Sequence, residues 1–281
     1  ALNNGVPKEF IHILDEFTGV MATFETHKSG PSFVLRFDID ALPIQETEDA
    51  QHLPNLLGFR SRHDNCMHAC GHDIHTSVIL GAALKLKERE ASLNGRVRIL
   101  FQPAEENFGG AKSMVRAGAL RDVSAIFGMH NEPGLPVGEF ATRGGPFYAN
   151  VDRFVIRITG KGAHAARPHE GNDAIVLASV TRITGGNTWN VLPESVELEG
   201  TLRTHRVEVQ QNVKARVGEI AAGFASAFSA QIDITWYAGP TALVNDAHWA
   251  EFATAIARES GYETQHAELH MGGEDFAVYL Q

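Results

Sequence analysis

Residues 67–76 read MHACGHDIHT, which places His68, His72 and His75, Cys70 and Asp73 within ten positions; Cys66, just before, is the only other cysteine of the chain. One glycine separates Cys70 from His72, and it lets the backbone turn tightly enough for a thiolate and an imidazole to face one cation. The spacing alone leaves four readings open. These are a metal site, a Cys66/Cys70 redox pair, a Cys70 nucleophile beside His72 and Asp73, and a crowded helix start with no chemistry. The redox reading is weakened because three residues, not two, separate the cysteines. No nucleophile elbow or cysteine-hydrolase signature accompanies Cys70. A structural zinc ribbon would want four soft ligands, and one further cysteine cannot supply them.

Two other stretches carry groups of the same kind. Glu105 and Glu106 are adjacent in FQPAEEN, and His130 follows an apolar run in SAIFGMHNEPG. Two neighbouring buried carboxylates repel each other unless a cation offsets one of them. A solvated acidic loop and a satisfied core histidine are the plain alternatives, but both would have to coincide with a crowded helix start at one edge of one sheet.

The elements that would bring them there can be read from periodicity. PSFVLRFDIDALP alternates Phe33, Leu35 and Phe37 and then meets Asp38 and Asp40; GRVRILFQPAEEN alternates Val97, Ile99 and Phe101 and ends at Pro103. With the run ending in His130, three strands deliver acidic or imidazole groups past their carboxyl ends, the edge where open α/β sheets bind ligands. Between them, Ile74, Val78, Ala82 and Leu86 recur every four residues, predicting a helix whose first turn carries the CGHD stretch. After about Tyr148 the pattern changes. RFVIRIT, SVELEGTLRT and QIDITWY predict short strands, and Val213, Val217, Ile220, Phe224 and Phe228 mark one face of an intervening helix. The stretch NDAIVLASVTRITGG is too short for the full helix that a parallel crossover needs, so either the strand order is unusual or a segment is missing. WAEFATAIARESG is helix-like, and MGGEDF is a glycine-rich turn with an acidic pair. The expected fold is α/β, with a smaller α+β domain inserted in a larger one. The boundaries are 1–147 and 239–281 for the larger domain and 148–238 for the inserted one.

Composition excludes several classes. A 281-residue chain that is 43% hydrophobic can bury a substantial core. A formal charge of −10 gives no electrostatic footprint for nucleic acid, and clusters such as RSRH at 60–63 are short. No apolar run reaches the ~18–20 residues of a membrane span, and the amino terminus lacks a signal-peptide pattern. A cytoplasmic location is expected, where the cysteines would be thiols or metal ligands rather than a disulfide.

Taken in order, FDIDALPIQE, MHACGHDIHT, FQPAEE, GMHNEPGLPVG, GKGAHAARPHEG, GGNTWNVLPE and MGGEDF resemble the aminoacylase, hippurate hydrolase and indole-acetyl-amino-acid hydrolase branch of the dinuclear-metal peptidases related to glutamate carboxypeptidase. The resemblance spans nearly the whole chain, and it implies that the larger domain is catalytic, with a mixed, mostly parallel sheet flanked by helices, and that the inserted α+β domain is a lid. It implies hydrolysis of the amide of an N-acyl amino acid by a metal-activated water. It makes Cys70, His72, Glu106 and His130 ligands of two divalent ions, Glu105 the general base, and Asp40 a group that orients a ligand or tunes Glu105. It assigns His164, Asn190 and Arg203 to substrate binding from a lid that also forms a homodimer. The metals could be zinc, manganese, cobalt or nickel. A non-catalytic descendant that binds a metal or an acylated ligand, or a thiol redox protein, would be the alternatives. The resemblance also implies parts not found here: a fifth ligand, a histidine beyond Gln281; an amino-terminal helix; and a lid helix and edge strand between Ser179 and Val180. The sequence is accordingly expected to be part of a longer chain.

Overall fold

A computed structural model describes residues 11–13, 19–26, 28–159 and 181–281. These divide into two compact units, one of residues 1–141, 252–265 and 278–281, the other of 142–251 and 266–277.

The first unit is built on a five-stranded mixed sheet of β1 (Ile11–Ile13), β2 (Val20–Glu25), β3 (Ser32–Asp38), β4 (Arg96–Gln102) and β5 (Ala125–Gly128), in the order β1-β2-β4-β3-β5. β3 runs parallel to both its neighbours, while β2 pairs antiparallel with β4 and with β1. A strand between two parallel ladders is buried on both faces, and β3 is. One face gives Leu35 and Phe37 to a core of Phe24, Ile79, Ala83 and Ile99, joined by Val97 and Phe101. The opposite alternation of β3 is buried still more deeply: Val34 at 0%, Arg36 at 2% and Asp38 at 0% exposure. Charged residues thus lie inside a strand that otherwise reads as apolar.

Between β3 and β4 come α1 (Leu53–Leu57), α2 (His72–Arg89) and a short 3-10 turn over Glu90–Ser92; α3 (Gly110–Arg116) joins β4 to β5. α2 packs on β3 and β4. Its buried residues are His72, His75, Ile79 and Ala83, so the expected stripe is displaced. Ile74 and Val78 are exposed, and only Leu86 of that stripe packs against the core. The helix lies where the periodicity placed it. Two histidines, polar by any scale, occupy the face that the sheet covers.

After β6 (Glu139–Thr142), the second unit holds β7 (Gly145–Pro146), β8 (Asn150–Thr159), β9 (Arg182–Gly185), β10 (Ser195–Thr204), α4 (Val207–Phe228), β11 (Gln231–Ala238) and β12 (Val244–Asn245). β11-β8-β10-β9 form an antiparallel sheet whose core is Ile156, Ile158, Val196 and Leu198, with Val217 of α4 packed against it. On α4 itself, Ile220 and Phe228 are exposed. β8 and β9 run in the same direction on either side of β10, and their connection, 160–180, lies outside the described residues. α5 (Ala247–Glu259) and β13 (Glu263–His266), which pairs with β6, complete the elements, with a 3-10 turn over Asp275–Leu280.

Ile79→Ala is expected to lower stability by about 2–5 kcal/mol through the cavity it leaves. Val78→Ala should change it by less than about 0.5 kcal/mol. Urea unfolding of the two variants checks which face of α2 meets the sheet; equal losses would contradict the packing described.

Candidate metal centre

The site forms in the first unit, at the carboxyl ends of the parallel strands. β3 ends at Asp38 and leads to Asp40, β4 leads to Glu105 and Glu106, β5 leads to His130, the chain before α2 supplies Cys70, and α2 opens with His72. Local backbone conformation turns these groups toward one another. Gly71 has φ +88°, and a Cβ there would lie 2.4 Å from Asn131 Oδ1, so both conformation and space require glycine between Cys70 and His72. After β4, Ala104 takes the left-handed region with φ 55°. Its carbonyl accepts the N–H groups of Gly109 and Gly110, and a Cβ on Gly110 would meet the Pro103 carbonyl at 1.7 Å. A turn this tight swings Glu105 and Glu106 back toward β3. The Glu106 N–H donates to Asp40 Oδ2 at 3.0 Å.

Two imidazoles are set by backbone carbonyls. His72 Nδ1 lies 2.9 Å from the Asp40 carbonyl, and His130 Nδ1 lies 2.6 Å from the Asn131 carbonyl. Since a carbonyl only accepts, each Nδ1 carries the proton, which turns each Nε2 to the site. His130 Nε2 sits 3.4 Å from Cys70 Sγ. His72 Nε2 lies 3.9 Å from Glu106 Oε1 and 3.6 Å from Asp38 Oδ1. Ligand-type atoms of Cys70, His72 and His130 cluster together, as do those of His72, Glu105 and Glu106, so His72 belongs to both groups.

The fit of a cation can be tested on atoms without partners. Among the described residues, His72 Nε2, Glu106 Oε1 and Asp40 Oδ1 are buried and have no hydrogen-bond partner. Orphaned buried polar atoms are costly unless something pairs them. A divalent ion coordinated by His72 Nε2 and Glu106 Oε1 would remove two of these defects.

The electrostatics agree. Burial would lower the His72 imidazole, yet hydrogen bonds to Asp40 and Cys70 and the nearby Asp38 charge hold it up at about 11. Burial likewise opposes the proton on His130, but Cys70 and the Asn131 carbonyl raise it to about 9. The Cys70 thiol is lowered by its contacts with His130 and His72. Without a metal, protons supply the positive charge that this pocket of donors demands.

Of the residues that the sequence singles out, Cys70, His72, Glu105, Glu106, His130 and Asp40 come together here. Asn190 and Arg203 belong to the second unit, where Asn190 accepts from the Thr188 hydroxyl at 3.2 Å and Arg203 donates to the Met271 carbonyl at 2.8 Å. His164 lies outside the described residues. Sequence reasoning named Asp38 and His75 without giving either a role, and it missed Arg36 and Asn131. The signals were there: a charged pair two apart within an apolar strand, and a histidine one helical turn after His72.

Comparison with known proteins bears on the whole chain. The family described as peptidase family M20/M25/M40 matches residues 34–281. N-acetylcysteine deacetylase of Bacillus subtilis is 43% identical over 300 residues, covering 98% of this chain and 77% of that protein. IAA-amino acid hydrolase ILR1-like 4 of Arabidopsis thaliana is 36% identical, covering 94% of this chain and 65% of its own length. A crystal structure from Bacillus subtilis, described as a dinuclear metal binding peptidase from the M20 family, superposes with a TM-score of 0.84 at 40% identity, covering 99% of this chain and 76% of that one. Its fold is the mixed α/β arrangement described above. No helix among the described residues is long and apolar enough to cross a membrane.

If these nitrogens take a cation, His72 and His130 must shed the protons they hold near neutral pH. Binding is then expected to release about two protons, and apparent affinity should rise as pH increases toward about 9. Calorimetry in buffers of different ionisation enthalpy measures this; a proton count of zero would show that neither imidazole is protonated before the cation binds.

Proposed function

We propose that this chain, which belongs to peptidase family M20/M25/M40, is a metallo-amidohydrolase that cleaves the amide of N-acyl amino acids or similar small conjugates into an acid and an amino acid. The observation that carries this reading is the convergence of Cys70, His72 and His130 with Glu105 and Glu106, centred on the unpartnered His72 Nε2 and Glu106 Oε1. The activities named for its relatives, deacetylation of N-acetylcysteine and hydrolysis of IAA-amino acids, support the bond type.

In this reading Cys70, His72, Glu106 and His130 hold two divalent cations, and the mixed thiolate, imidazole and carboxylate set suits zinc, manganese, cobalt or nickel. When bound, such ions polarise the scissile carbonyl and lower the pKa of the attacking water. Glu105 accepts a proton from that water as the new C–O bond forms and delivers it to the amide nitrogen as the C–N bond breaks. Asp40 keeps the machinery in register: its carbonyl fixes the His72 tautomer, and its carboxylate holds the Glu106 backbone. The Asp40 carboxyl, which burial alone would raise, lies below its ordinary range because of His72 and the Glu105 and Glu106 amides. It therefore stays an acceptor.

Substrate contacts would come from the residues around 148–238, acting as a lid and dimerising domain. Arg203 suits the free α-carboxylate through a paired hydrogen bond, Asn190 helps hold the substrate, and His164 of the partner subunit stabilises the oxyanion. A reducing cytoplasm would keep Cys70 out of a disulfide.

Glu105→Gln should lower kcat by about 10²–10⁴ on a panel of N-acetyl, N-benzoyl and indole-acetyl amino acids, with metal content unchanged. Elemental mass spectrometry of both proteins accompanies the assay. Equal turnover by the variant would refute the base assignment. Metal binding without turnover in either protein would favour a non-catalytic binder.

A further inference from the structure

The motif that opens the sequence analysis offers three histidines, and the geometry separates their tasks. Resting on the metal-site reading above, we infer that His75 is a positioning residue that ligates nothing and sets both His130 and His72 for the cation.

His75 is 1% exposed and sits among the other imidazoles, its ring centroid 4.7 Å from that of His130 and 5.2 Å from that of His72. Both its nitrogens are engaged. Nε2 accepts the backbone N–H of Asn131 at 3.0 Å. A backbone amide only donates, so the His75 proton is on Nδ1, where it is donated to Asp38 Oδ1. With one nitrogen protonated and the other's lone pair committed, neither is available to a metal. That is the reverse of His72 and His130, whose Nδ1 protons are committed to carbonyls and whose Nε2 atoms face the site.

Two consequences follow for the ligands. First, the Asn131 residue is held from both sides: its N–H by His75 and its carbonyl by His130 Nδ1 at 2.6 Å. The orientation of His130 toward Cys70 therefore passes through His75. Second, Asp38 Oδ1 lies only 3.6 Å from His72 Nε2, the nitrogen that must stay open. By engaging that oxygen, His75 keeps Asp38 from capturing His72. The other Asp38 oxygen is taken by Arg36 Nη1 at 2.8 Å, and Arg36 Nε in turn donates to Gln102 Oε1 at 2.7 Å. Asp38 thus has little freedom to rearrange.

The two isosteric replacements divide these effects. An Asn amide nitrogen falls near the position of Nδ1 and can still donate to Asp38 but cannot reach Asn131; a Gln side-chain oxygen falls near Nε2 and can accept from Asn131 but releases Asp38. The test uses the full chain loaded with cobalt(II). It reads affinity by competition with a chromophoric chelator, the thiolate-to-cobalt charge-transfer band, and the melting temperature of the metal-free protein. His75→Asn and His75→Gln are each expected to weaken cobalt binding by about 10–100-fold. The charge-transfer band should change in His75→Asn, where His130 is freed, and stay close to wild type in His75→Gln, where the Asn131 link is kept. Metal-free melting should fall in both, further in His75→Gln, where Asp38 Oδ1 loses its partner, while each variant still unfolds cooperatively. Variants that bind cobalt as wild type does, or that lose affinity only in step with a collapsed melting temperature, would overturn the role of His75 alone. A wild type that binds no cobalt would overturn the metal reading itself. A measurement without variants stands beside these: in histidine-15N-labelled wild type, His75 should show the Nδ1–H tautomer before and after zinc is added. A His75 nitrogen that shifts as a ligand would refute the inference even if no variant folds.

Discussion

Everything at this site depends on a negative charge kept out of water. Asp38 ends β3 with 0% exposure, and an unpaired carboxylate there would cost several kcal/mol. Burial would raise its pKa, but the His75 hydrogen bond and the Arg36 charge outweigh burial and bring it to about 2. Each compensating group then needs support of its own. Arg36 is 2% exposed and leans on Gln102, which also accepts the Tyr279 hydroxyl at 2.7 Å. His75 needs an N–H for its second nitrogen and takes that of Asn131. The buried polar chain runs through β3, β4, α2 and the segment after β5, the four places that contribute to the site. A satisfied network of this kind adds little net stability and instead makes one arrangement far better than its neighbours.

The same arithmetic explains why the donors do not collapse on one another. Glu105, Glu106 and Asp40 bring carboxylates to a small volume, beside a Cys70 thiol lowered by His130 and His72, and in the metal-free state the protons on His72 and His130 offset them. His72 and His130 are raised because of the acidic company they keep, against the pull of burial. A pocket whose histidines hold protons above their ordinary range is one in which a cation competes with those protons. Affinity and pH are therefore coupled by construction.

How much of this the sequence discloses depends on which residues speak through pattern. The strands ending at Asp38, Gln102 and Gly128 follow from apolar alternation and proline stops, and the convergence of Cys70, Glu105, Glu106 and His130 follows from their common edge. The stripe on α2 fails for a physical reason. Its buried face begins with His72 and His75, and a hydrophobic period cannot register polar residues that are buried because a carboxylate and an amide satisfy them. The burial of Asp38 and Arg36 is hidden by the same blindness, since both occupy the positions of β3 that apolar alternation reads as facing water. Ala104 gives no signal either; its left-handed backbone is imposed by the turn that closes over Gly109 and Gly110, not by its own preference.

One ten-residue stretch can serve both ligation and support because it changes backbone geometry midway. Cys70 and His72 straddle a left-handed glycine, so their side chains converge from a bend that no regular element provides. His72 and His75 are three apart on a helix and so lie on one face, which stacks their rings and places the second behind the first. A ligand drawn from the bend can be held by a neighbour drawn from the helix. The glycine is the hinge between the two geometries: any side chain at position 71 would strain the backbone and collide with the side chain of Asn131, the residue whose backbone N–H and carbonyl hold His75 and His130. The chemistry of the motif thus rests on a residue that has none of its own.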